Sequence, residues 1–179
     1  MTQHEYIFVT VSIVLGLAMT RILNGVGDLT RHHKRVNFHW STAIWGMSIM
    51  IFILQLWWIG WGLRDFSGWA FRHFVVLIFA SIFIYGAAEM ALPDSDDGGY
   101  EMLGHSQSQG RFSAFSMLAY FLIGPYVNVA MFNNPIALSI AIPAVGIVLM
   151  ILVIAIPRWF QVLSVFFAAY SLLVLYATV

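Results

Sequence analysis

Six apolar stretches alternate along the chain with short polar, glycine-bearing or proline-bearing breaks, at 6–26, 40–63, 74–92, 112–132, 136–156 and 162–178. A helix needs about 20 mainly apolar residues to traverse about 30 Å of hydrocarbon, and each stretch meets that length or comes near it. The breaks carry stop signals. RHHKRVNFH is strongly polar, RDFSGWAFR is charged, and PDSDDGGYEMLGHSQSQGR is long and rich in glycine. NNP and PRW place a proline, which has no N–H to donate, where a helix would have to continue. Joining the last two stretches would leave Pro157 and Arg158 in lipid, so six spans are expected. The pattern predicts an all-α integral membrane fold: a six-transmembrane-helix bundle with short loops, one domain over residues 1–179, its last three helices antiparallel neighbours.

Composition sharpens the picture. Hydrophobic residues make up 61% of the chain and charged residues 9%, against about 25% charged in a soluble domain. The polar residues cannot cover the outside, so the outside has to be lipid. A net charge of zero gives no footprint for nucleic acid. The absence of cysteine excludes disulfides, iron–sulfur clusters and thiol catalysis. The first stretch follows MTQHE without a basic segment or a clear cleavage site, so it is expected to be a retained helix.

Orientation follows from Lys and Arg in the short loops. Arg31, Lys34, Arg35, Arg111 and Arg158 fall on one side, Arg64 and Arg72 on the side of the termini, five against two. Both termini are therefore expected outside. Trp57, Trp58, Trp61 and Tyr6 then form an outer aromatic belt, and Trp40 and Trp159 an inner one.

Arg21 interrupts the first stretch. A charge at a helix centre costs about 2.5–3.5 kcal/mol on insertion scales, but Arg21 lies only about 8 Å from the inner end, within reach of a snorkelling stem. A second reading pairs it with Glu89 of YGAAEMALP, which falls at a similar depth on helix three. That pair satisfies both groups and makes helices one and three neighbours. Ser12, Gly16, Thr20, Asn24 and Asp28 recur at intervals of four on helix one, and Ser116, Tyr120, Gly124 and Asn128 on helix four. Such stripes let helices approach closely in lipid. Gln55 and Asn128 are amides in the outer half of the membrane, on helices two and four; Gly124-Pro125 lies beside Asn128, and Pro143 falls inside helix five. A cavity there, and a path lined by Arg21, Glu89, Gln55 and Asn128, is the functional alternative to plain packing.

Other chemistry is not signalled. His4, His32, His33, His39, His73 and His105 lie in tails, loops or helix ends, too far out to ligate a haem, and their spacings match no zinc pattern. DSDDGGYEMLGH starts like a calcium loop at Asp94 and Asp96 but puts His105 where a bidentate Glu belongs. No nucleophile–base pair, phosphate loop or dinucleotide fingerprint is present, so no catalytic residue, metal or cofactor is expected, only bound lipid.

EYIFVTVSIVLGLAMTRILNGVGDL, KRVNFHW, WWIGWGLRDFSGWAF and AEMALPD, taken in order over about the first 95 residues, resemble an uncharacterised family of small bacterial polytopic membrane proteins. That family combines an S-x-x-LGL-x-x-T core, a basic R-V-x-x-x-W stretch, a WW pair, an LRD-x-x-x-W turn and a closing L-P-D. At Arg21 this chain departs from the pattern, which carries an uncharged polar residue there. The resemblance implies a bacterial inner-membrane location and transfers no activity. The leading expectation is a non-enzymatic accessory or assembly subunit, alone as a homo-oligomer or with other membrane subunits, in contact with membrane lipids. The alternatives are a small transporter or channel for a solute or proton, and a pigment-, quinone- or lipid-binding protein.

Overall fold

The chain enters its first helix through a capping box: Glu5 N donates to Thr2 Oγ1 at 3.2 Å and Thr2 N donates to the Glu5 carboxylate at 2.9 Å. The computed structural model describes residues 2–93 and 100–178. The calcium-like residues Asp94 and Asp96 lie outside them. Helix α1 covers Gln3–Arg31, β1 Val36–Asn37, α2 Trp40–Gly62, α3 Phe71–Glu89, β2 Tyr100–Glu101, α4 Met102–Ser108, α5 Gly110–Ala130, α6 Ile136–Ala155 and α7 Phe160–Thr178. All of these helices except α4 are long and apolar enough to cross a membrane. The protein is a multi-pass integral membrane protein built as an all-α six-span bundle.

Several boundaries differ from the expected ones for identifiable reasons. α1 continues five residues past Val26, because Asp28 and Arg31 pair one turn apart at 3.2 Å and Thr30 Oγ1 donates to Val26 O. At 29 residues it is about 43 Å long. α3 ends at Glu89 rather than at 92, since the chain turns and drives Leu92 between α1 and α2. A Cβ on Gly25 would lie 3.0 Å from Leu92 Cδ1, and one on Gly46 3.3 Å from Leu92 Cδ2. The third break also contains α4, and its β2 pairs in parallel with β1 through Val36–Tyr100 and Asn37–Glu101. Thr42 Oγ1 pins α4 by donating to Met102 O at 2.9 Å.

The spans close into a ring. α1 packs on α3, α3 on α5, α5 on α6, α6 on α7, α7 on α2 and α2 on α1, and α2 also touches α3. α2 is the most buried of the six. α1 gives the core a narrow face, Ile7, Val11, Leu15, Ala18 and Ile22, at the i, i+4, i+7 spacing of one helical stripe. One end of the bundle carries the start of α1 and the end of α7, together with the ends of α2 and α5 and the start of α6. This terminal end is tied together by His4 Nε2 at 2.9 Å from Gly60 O and by Phe132 against Gly62.

A column of aromatic rings fills the bundle's other half. Phe160, Trp45, Phe167 and Phe52 follow one another with ring-centre distances of 5.2, 4.6 and 5.6 Å. Trp45 is fully buried, and its indole N–H donates to Ser113 Oγ at 2.9 Å while Ser113 Oγ donates to Ala87 O at 2.8 Å. That relay locks α2, α5 and α3 together where water cannot compete for the hydrogen bonds.

Candidate functional site

Above the column, toward the terminal end, the side chains of α2, α5, α6 and α7 separate and leave a cavity of about 430 Å³. Its floor is aromatic. Phe52, Tyr120, Phe121 and Tyr170 meet there with ring-centre distances of 5.2 to 6.0 Å. Its mouth lies between the α5–α6 turn, where Asn134 and Pro135 line it, and the end of α7 at Ala177 and Thr178. Asn133 turns the chain there at φ 55, a left-handed conformation that asparagine tolerates better than most residues. Floor and column together make this a blind well.

The sequence builds the well wall from residues that leave room. Tyr120, Gly124 and Asn128 recur at intervals of four on α5, and all three line the well. A Cβ on Gly124 would lie 3.4 Å from Pro143 Cγ and 3.8 Å from its Cβ, ordinary contacts, so the wall is thin there and tolerates a small side chain beside α6. α5 and α6 run unbroken through Pro125 and Pro143. Each proline deprives the carbonyl four residues earlier, on Phe121 and Ser139, of its helical donor, and both residues line the well.

Its polar groups are few and neutral. Gln55, 5% exposed, donates from Nε2 to Thr178 Oγ1 at 2.8 Å, which leaves its second N–H and its Oε1 uncommitted. The Tyr120 hydroxyl and the Asn128 amide make no hydrogen bond to the described residues. Tyr170 Oη donates to Ile142 O at 3.0 Å. Among the described residues, no Asp, Glu, Lys, Arg or His lines the well.

Arg21 and Glu89 come together elsewhere. Arg21 Nε lies 3.0 Å from Glu89 Oε2 between α1 and α3, with the side chains 30% and 31% exposed, and Tyr85 reaches the same carboxylate from one turn earlier. A lone charge at such a depth carries a cost that a matched pair avoids. The pair holds two helices in register. Neither residue is among those that line the well, so the Gln55 and Asn128 amides and the Arg21–Glu89 pair stand in different parts of the bundle.

No protein-family model, curated protein or solved structure matches this chain.

The stripe on α1 needs a second correction. Ser12 and Gly16 are half-exposed and Thr20 and Asn24 exposed, turned away from the core face of α1. A Cβ on Gly16 would meet nothing within 4 Å. Among the described residues Gly16 meets no neighbouring helix, and Thr20 satisfies itself by donating to Gly16 O at 2.8 Å. The same interval on α5 faces inward, because α5 is flanked by α3 and α6. The sequence reading also missed the aromatic column. Trp45 and Phe52 on α2, and Phe160 and Phe167 on α7, are each seven residues apart, two turns along one face, and that spacing was the available signal.

Beside the well, His73 sits 2% exposed in the first turn of α3 and accepts from Ala70 N at 3.1 Å. Its ring faces Phe66, Trp69 and Tyr126. These contacts seal the terminal end between α3 and α5. Tyr6, Trp58 and Trp61 remain exposed at that end, with Trp40 and Trp159 exposed at the other, as suits side chains with an apolar body and a polar tip at a membrane–water boundary.

Proposed function

We propose that the protein is a membrane-embedded binding protein that takes a small molecule into the blind well from its terminal end. The observation that carries this reading is the well itself. It has the size of a ligand site, mostly apolar walls, and a few polar groups that the fold leaves unused, Tyr120 and Asn128 foremost. An unused hydrogen-bonding group inside a membrane protein is costly, so a fold that retains two in one cavity has a use for them. Conduction is the weaker alternative, because the rings from Phe52 to Phe160 occupy the route a channel would need.

The setting belongs to the same proposal. The Lys and Arg distribution favours both termini outside the cytoplasm, an orientation in which the well opens to the exterior. The phrases from EYIFVTVSIVLGL to AEMALPD support membership of the small bacterial polytopic family and hence the inner membrane. A role as accessory subunit, in a homo-oligomer or a larger complex, is a second reading. It is favoured by the outward-facing stripe on α1, where Gly16 leaves open space against which another helix fits.

Native mass spectrometry of protein purified in mild detergent tests the binding reading. Wild-type protein is expected to carry a non-covalent small-molecule adduct. Ala177→Trp, which plugs the mouth from an exposed position, is expected to lose it without losing the fold. An adduct that survives Ala177→Trp, or none on the wild type, contradicts the reading.

A further inference from the structure

The chemistry of the well wall specifies its ligand further than its shape does. We infer that the well selects an uncharged amphiphile, a molecule with a hydroxyl or carbonyl head on an apolar body, and rejects ions of either sign; this rests on the binding reading above. The first ground is what the wall lacks. Among the described residues that line it none carries a formal charge, and the Arg21–Glu89 pair stands outside it. A charged head held between Gln55 and Asn128 would lose part of its water with no counter-charge among the described lining residues to meet it.

The second ground is what the wall offers. Tyr120 brings a hydroxyl that both donates and accepts, and Asn128 and Gln55 bring amide N–H and C=O groups. These groups match a neutral head that donates and accepts at once.

Their placement orients the guest. Asn128 stands two residues before the end of α5, beside the mouth, and Tyr120 lies eight residues further in, about 12 Å along the helix axis. Below Tyr120 only rings remain. The apolar body therefore points down onto Phe52, Phe121 and Tyr170. The head stays near Gln55 and Asn128, and Tyr120 gives a deeper oxygen a second contact. The same neutral chemistry is found in a membrane-derived alcohol or glyceride and in a molecule taken from outside the cell.

Three probes sharing a ten-carbon tail separate the charge classes: decanol, decanoate and decyltrimethylammonium. Each is titrated onto the full-length protein in nanodiscs, and only binding that Ala177→Trp abolishes is scored. Decanol is expected to bind at least tenfold more tightly than either ion. Tyr120→Phe and Asn128→Leu are each expected to weaken decanol by about three- to tenfold, the factor one neutral hydrogen bond supplies. Ions that bind the well as tightly as decanol, or variants that leave its affinity unchanged, overturn the neutral-ligand assignment while the well remains a binding site. Failure of all three probes, with no adduct on the purified protein, overturns the binding reading as well. Lipid analysis of any native adduct tells the membrane source from the external one.

Discussion

Gly60→Ala is expected to destabilise the protein by about 3 kcal/mol, the upper end of ordinary overpacking. The side chain of Phe8 lies where a Cβ on Gly60 would be. The built atom falls onto Phe8 Cε2 and Cζ, so the ring has to leave. It cannot leave freely, because it stacks on His4 at 5.4 Å between ring centres while His4 Nε2 holds Gly60 O at 2.9 Å. The close approach of α1 and α2 at the terminal end therefore depends on one missing side chain. A double-mutant cycle checks the mechanism. Phe8→Ala alone is destabilising, yet in the Gly60→Ala background it should restore about 1 kcal/mol or more in an unfolding titration. Strictly additive losses would mean that the two positions do not meet.

Trp45→Ala is expected to cost about 3–5 kcal/mol, the range for deleting a large buried aromatic. Its indole fills the middle of the column between Phe160 and Phe167, and no side chain on either side can close the gap without leaving its own rotamer. Trp45→Phe separates volume from hydrogen bonding. It keeps a ring in the column and loses only the donor to Ser113, whose own bond to Ala87 O survives. About 1–2 kcal/mol is expected for that variant. Thermal unfolding in nanodiscs should rank wild type above Trp45→Phe and both well above Trp45→Ala. Equal losses for the two variants would show that the indole N–H, not the packed ring, holds the column.

The six spans were legible because hydropathy measures what lipid requires of a helix. For the same reason it misplaced their ends. α1 runs on through Asp28 and Arg31 in a setting where lipid no longer decides, and local pairing keeps it helical. The depth match of Arg21 and Glu89 was readable from residue counting, since both stand near the same end of helices that run in one direction. The faces were not readable. Ser12, Gly16 and Thr20 share their spacing with Tyr120, Gly124 and Asn128, yet one row faces outward and the other lines the well. Spacing fixes that residues share a face, and only the neighbours of the helix fix where that face points. The well is invisible to periodicity for a related reason. Gly124, Ser139 and Ala177 shape it by what they leave empty on three different helices.

The most direct test of a well open at one end and sealed at the other uses the absence of cysteine from the chain. Gly124→Cys introduces a single thiol into the wall, and a membrane-impermeant maleimide is added to one face of sealed vesicles at a time. Labelling from the terminal face alone, slowed by a saturating neutral ligand, is the result expected. A thiol that reacts from the opposite face would mean that the aromatic column does not close the bundle, and one that reacts from neither would mean that the well has no mouth.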